Sequence, residues 1–207
     1  MILTHQKGRG KKIHLLLDDE YKITTDIDFW ADNYIKNGTE ISEDDWNELV
    51  VKINYKKALN KCYDLLSRRD HSVKELRDKL LRTVDSKSAD KAINKMLELG
   101  YLDDEKYAKI LLHHLITNKK MSKTFIKNEM YKRGINSDII SNCLEDIEID
   151  NVSSILDLLE SKYLSKLSFD ENYKNNKEKV IASLMRKGFS YSDVKSAFYR
   201  FEDENEL

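Results

Sequence analysis

The 207-residue chain carries 36 Lys/Arg against 37 Asp/Glu, a formal net charge of −1, with 40% hydrophobic residues. That length and apolar share allow a real core in one elongated domain or two small ones, and the near-zero charge excludes a global basic field directed at nucleic acid. No apolar run approaches the ~20 residues of a membrane span and the N-terminus lacks a signal-peptide core, so the expectation is a soluble cytoplasmic protein with no membrane partner. Proline is absent, where average usage would give about ten. Without its ring clash and missing N–H, a mainly helical chain is favoured. The charge is unevenly spread: residues 1–50 hold 6 Lys/Arg and 11 Asp/Glu, residues 51–100 hold 13 and 7. Segments of opposite sign point to an anionic partner for the basic one.

Residues 11–27, "KKIHLLLDDEYKITTDI", alternate as a strand pair does. Ile13, Leu15 and Leu17 share one side, and Tyr21, Ile23, Thr25 and Ile27 follow the polar turn Asp18-Asp19-Glu20. "ILTHQKGRG" adds a third short strand, and "DFWADNYIKNG" reads as a brief helix closed by Gly38, where a positive φ costs nothing. From Ser42 the period becomes helical. Ser42 with Asp45 opens a helix bearing Trp46, Leu49, Val50 and Ile53, and a further stretch holds Ala58, Cys62, Leu65 and Leu66. Ser72 begins S-V-K-E, a capping box with Glu75, ahead of a stripe of Val73, Leu76 and Leu80. A helix at roughly 87–99 buries Ala92, Ile93, Met96 and Leu97 and stops at Gly100.

The pattern then recurs. A shift of 50 places Ala58 on Ala108, Cys62 on Leu112, Ser72 on Ser122, Leu76 on Ile126 and Leu80 on Met130. A further 54 takes Ile126 to Val180, Met130 to Leu184, Gly134 to Gly188, Ile135 to Phe189, Ile140 to Val194 and Leu144 to Phe198. Periods of this size mean one supersecondary unit stacked on its neighbours. The fold expected is mainly α: tandem three-helix repeats in an elongated curved array, preceded by a small β-rich element. The divisions are 1–53 for the β-rich cap and linking helix, then 55–99, 103–147 and 151–203 for the repeats. The third repeat has a more polar first connection, "SFDENYKNNK".

Little in the chain carries catalytic chemistry. Cys62 and Cys143 lack metal-ligand partners at nearby spacing and read as free thiols packed as small hydrophobes in a reducing compartment. His113 and His114 are adjacent, so a helix points them about 100° apart and they cannot chelate as an i, i+4 pair would. His5, His14 and His71 have no companion ligand and read as surface or boundary residues. No nucleophile elbow or phosphate-cradling loop occurs. The acidic run "LDDE" at 17–20 and 102–105 suits helix capping better than metal binding, because free N–H groups at a helix start welcome carboxylates. No catalytic residue, metal or cofactor is expected.

Basic residues are the better lead. Arg68, Arg69, Lys74 and Arg77 surround the start of one second helix, and Lys119, Lys120, Lys123 and Lys127 surround the equivalent start of the next. Arg77 and Lys127 correspond under the shift of 50, as do Arg69 and Lys119. Arg133 and the Arg186-Lys187 pair stand before the later turn glycines. Each alone is an ordinary solvated charge, but their recurrence favours a binding strip able to touch phosphates. Aromatics interleaved for base stacking are sparse around them. One reading is a helix–turn–helix DNA-binding transcriptional regulator, since units of this size place a recognition helix in the major groove.

Four stretches together resemble the RecX family, regulatory proteins of the bacterial recombinase RecA. They are "ALNKCYDLLSRRDHSVKELRDKL" at 58–80, "LGYLDDEKYA" at 99–108, "IKNEMYKRGI" at 126–135 and "SLMRKGFSYSDVKSAF" at 183–198. The entry "GRGKKIHLLLDDE" is also similar to that of longer family members. The resemblance implies a non-enzymatic regulator that binds the RecA–single-stranded DNA filament; a monomer is expected. It further implies damping of ATP hydrolysis, strand exchange and coprotease activity, with effects on recombination and the SOS response. The basic residues named above are the candidate contacts with the filament or with DNA directly.

Overall fold

The computed structural model describes residues 1–167 and 172–205. These fall into two compact units, Met1–Leu102 and Asp103–Leu207.

The first unit opens with strands β1 (Ile2–Lys7), β2 (Lys12–Leu17) and β3 (Glu20–Asp26), a short helix α1 (Ile27–Asp32) and a two-residue strand β4 (Thr39–Glu40). They form an antiparallel sheet of order β3-β2-β1-β4. Leu17 pairs with Glu20 across a two-residue turn in which Asp18 and Asp19 take φ of 49° and 65°. Tight hairpins demand that left-handed pair, and aspartate tolerates it because its short side chain bonds locally. Here Asp18 Oδ1 accepts the Ile2 N–H at 2.8 Å, tying the turn to β1.

Two expectations fail in this region. Ile27 does not extend the strand, because the Asp26 carboxylate accepts the Phe29 N–H and starts α1 one residue later. Gly38 does not close a helix either. α1 ends at Asn33, whose N–H and side-chain amide return to the Phe29 carbonyl, and Gly38 serves the turn into β4.

Helix α2 (Glu43–Leu66) starts at Ser42, which caps the Asp45 N–H. Its 24 residues extend about 36 Å at 1.5 Å per residue. The first half gives Leu49 and Ile53 to a core with Leu3, Ile13, Leu15, Leu17, Phe29 and Trp30. The second half gives Ala58 and Cys62 to another core, shared with α3 (Val73–Leu80) and α4 (Ser86–Glu98) through Leu76, Leu80, Ala92, Ile93 and Met96. α4 ends in a Schellman turn: Gly100 at φ +70° donates to the Leu97 carbonyl and Tyr101 to Met96, satisfying carbonyls the helix leaves over. Leu97, expected inside, is exposed. It sits on this last turn, where the chain leaves the core.

The second unit holds two further three-helix domains in tandem. α5 (Asp104–Thr117), α6 (Lys123–Lys132) and α7 (Ser137–Leu144) enclose Leu111, Leu112, Leu115, Ile126, Met130, Ile135, Ile140 and Leu144. α8 (Asn151–Leu158) continues through a π-helical turn at Leu159–Tyr163 and a 3-10 turn at Leu164–Lys166, and is followed by α9 (Tyr173–Arg186) and α10 (Tyr191–Glu204). Their core contains Leu159, Val180, Leu184, Phe189, Val194 and Phe198. Every apolar pair matched by the shift of 54 is buried in both domains, and Gly134 and Gly188 take φ of 75° and 84°. The polar connection at 168–177 is shorter than expected. Residues 168–171 lie outside the described residues, and from Tyr173 the chain is already α9.

Candidate partner-binding surface

In the first unit the basic residues frame the start of α3. Ser72, fully buried, accepts the Glu75 N–H at 3.0 Å while Glu75 accepts the Ser72 N–H at 3.3 Å. Arg69 grips that same Glu75 with two nitrogens, at 3.2 and 3.3 Å. Arg77 reaches from α3 to α4, donating to Asp90 at 2.5 and 3.2 Å and to Ser86 at 3.1 Å. The hydrogen bond and charge of Arg77 hold the Asp90 carboxyl below its usual range. Arg68 pairs with Asp64 at 2.7 Å and Lys74 with Asp78 at 3.0 Å, both on the open surface. Such exposed pairs contribute little and exchange readily for a partner. His71, expected at the surface or its boundary, is buried, with Nδ1 donating to the Arg69 carbonyl at 2.9 Å.

In the second unit the equivalent start of α6 is built differently. Ser122 again caps its helix, through the Phe125 N–H. The turn before α10 lies directly against it. The Ser122 N–H donates to the Lys187 carbonyl at 3.3 Å and the Lys187 ammonium to the Lys119 carbonyl at 2.7 Å. Burial first, then the charges of Lys162 and Lys119, lower the Lys187 pKa. Three ammonium groups from separate elements thus gather here. Lys162 was invisible in sequence, because only the approach of residue 187 to the α6 start brings it in.

Lys120, at φ +49°, pairs with Asp157 at 2.8 Å, and Lys123 donates to the Ile147 carbonyl at 2.9 Å. Lys127 lies 6.0 Å from the Tyr131 ring centre. Arg133 is remote in role: it donates to Glu129 at 3.1 Å and to the Tyr107 hydroxyl at 2.6 Å, joining α6 to α5. Among the described residues the exposed side chains of Lys119 and Arg186 carry no ion pair.

The cations therefore sort into two roles. Arg69, Arg77, Lys120, Arg133 and Lys187 hold structure through specific partners, whereas Arg68, Lys74, Lys119, Lys123, Lys127 and Arg186 present charge to solvent. Within the second unit Lys119, Lys162 and Lys187 come together, and Arg133 stands apart from them on its own contacts. Among the described residues no group of three or more His, Cys, Asp or Glu side chains could hold a metal ion, and no helix is long and apolar enough to cross a membrane.

Residues 58–96 match the RecX first three-helix domain and residues 103–144 the RecX second three-helix domain. The chain thus carries two RecX-type three-helix domains in tandem. It is 24% identical to the regulatory protein RecX of Clostridioides difficile strain 630 over 93% of this chain and 91% of that one. It is 29% identical to the regulatory protein RecX of Bacillus subtilis strain 168 over 99% and 77%. A crystal structure of regulatory protein RecX shares the fold with a TM-score of 0.56 at 19% identity, over 94% of this chain and 96% of that chain. The α3 cluster lies in the segment matching the first RecX domain; of the α6 cluster, Lys119 lies in the segment matching the second, and Lys162 and Lys187 lie beyond it. The relatives' shared name, regulatory protein RecX, supports a regulatory role of the RecX kind.

Proposed function

We propose that this chain is a non-enzymatic, cytoplasmic, monomeric regulator that binds the RecA filament on single-stranded DNA and mainly inhibits its ATPase, strand-exchange and coprotease activities. Recombination and the SOS response are the processes it would modulate. The observation that carries the reading is the match of two successive domains to RecX domains, within a likeness spanning nearly the whole chain. The working parts are the cap and linking helix at 1–53 and the repeats at 55–99, 103–147 and 151–203. Of the basic residues, Arg68, Lys74, Lys119, Lys123, Lys127 and Arg186 are the contacts, with phosphates or filament carboxylates as their counterparts. Arg69, Arg77, Lys120, Arg133 and Lys187 position the surface. Several weak contacts on one chain act together through effective concentration.

The test is ATP hydrolysis by RecA on single-stranded DNA as this protein is titrated in. Suppression at well below one protein per RecA supports the reading. An unchanged rate at excess, with filaments verified by electron microscopy, refutes it. Tight binding to one duplex sequence with a steep salt dependence would instead favour a DNA-binding regulator.

A further inference from the structure

The second and third three-helix domains share buried positions at a spacing of 54 residues, so each is an internal control for the other's surface. On α6, on α7 and at the α7 C-cap the positions Lys123, Lys127, Ser137, Ser141 and Glu145 are all exposed and polar. The fold therefore does not require apolar groups there. On α9 and α10 the corresponding positions are Lys177, Ile181, Tyr191, Lys195 and Tyr199. Tyr191 and Tyr199 stand 60% and 74% exposed on one stripe of α10, with Lys195 between them. With Ile181, Val194 and Phe198 they line a groove of about 230 Å³.

Folding does not explain two tyrosines left in water over an apolar floor. Clustered exposed apolar surface marks an interaction site, and tyrosine is enriched where partners bind tightly. Lys177 is committed to Glu202, whereas among the described residues the Lys195 ammonium has no ion pair. Charge complementarity therefore calls for a carboxylate beside an apolar anchor. A nucleic-acid strand fits less well. The tyrosines lie about 12 Å apart along the helix, against about 3.4 Å between successive stacked bases.

We propose that the α9/α10 groove is a protein-docking site for a segment that places an apolar side chain on Ile181, Val194 and Phe198 and a carboxylate on Lys195. Its occupant is a RecA subunit of the filament, which rests on the functional reading above. The test compares the full chain with a triple variant carrying Ile181→Lys, Tyr191→Ser and Tyr199→Glu, the residues the second domain uses at the equivalent positions. A separate Lys195→Glu variant changes only an exposed charge. Each is titrated against RecA ATPase on single-stranded DNA, against fluorescent oligo(dT) alone, and by sedimentation for self-association.

The expected result is a rise in half-inhibiting concentration of about tenfold or more for the triple variant, and a smaller rise for Lys195→Glu. Oligo(dT) affinity and sedimentation should not change. Equal inhibition by a folded triple variant overturns the groove while leaving filament binding intact. A matching loss of oligo(dT) binding assigns the groove to nucleic acid, and dissociation of a parent dimer assigns it to a second copy; either overturns the proposal. If the triple variant melts early, Lys195→Glu with an intact melt decides. A parent chain without effect on RecA refutes the functional reading itself, and this occupant with it.

Discussion

His71 is only 4% exposed, and burial, reinforced by the charges of Arg69 and Lys79, lowers its pKa from 6.5. The hydrogen bond to the Arg69 carbonyl and the charge of Glu75 oppose this without reversing it. The unfolded chain then binds a proton before the folded one does, so stability is full above the ordinary histidine range and declines as pH falls below about 6.5. Urea midpoints measured from pH 7.5 to 5.5 should fall, and His71→Gln should flatten that slope. Glu202 behaves differently. Its burial raises the carboxyl, but hydrogen bonds from Lys177 and Tyr173 and the Lys177 charge outweigh this and lower it. Its contribution is present above the normal glutamate range and is lost as pH falls through the lowered value. Glu202→Gln should therefore remove part of the acid-side decline below about pH 4.5 and leave the His71 window untouched.

The caps and turns carry the element-scale consequences. Ser72→Ala removes one arm of the capping box and should cost about 1 kcal/mol in chemical denaturation. Gly100 and Gly188 both adopt positive φ, yet a Cβ at Gly100 meets nothing within 4 Å, while one at Gly188 falls 2.5 Å from Ser122 Oγ and 2.8 Å from Phe125 Cβ. Gly100→Ala should cost about 1 kcal/mol of left-handed strain, and Gly188→Ala more, because the α6 start must also move. Paired denaturation curves check the order. Those glycines and the S-V-K-E box were legible because helix ends are local chemistry. Leu97 was misread because its exposure depends on where the core ends, which periodicity does not register. The start of α9 was missed because its first turn is polar and Asn172 gives it no side-chain cap.

At the scale of the molecule, the repeat was legible because buried positions recur at fixed spacing, but the division of labour among the cations was not. Arg77 looks like Lys74 in sequence, and only the fold brings Asp90 to one and leaves the other on an open face. If the exposed cations act jointly, Arg68→Glu and Lys119→Glu should each raise the half-inhibiting concentration against RecA ATPase several-fold. Together they should raise it about the product of the two, with melting temperatures unchanged. One feature also governs how the molecule comes apart. Because α2 is a single hydrogen-bonded rod shared by the sheet core and the first three-helix core, neither can open without fraying the other's share of it. The sheet is thus a wall of the first bundle's foldon, and cutting the chain before Ser42 would leave Leu49 and Ile53 bare to water. Amides of β2 and of α4 should accordingly exchange with deuterium as one cooperative group.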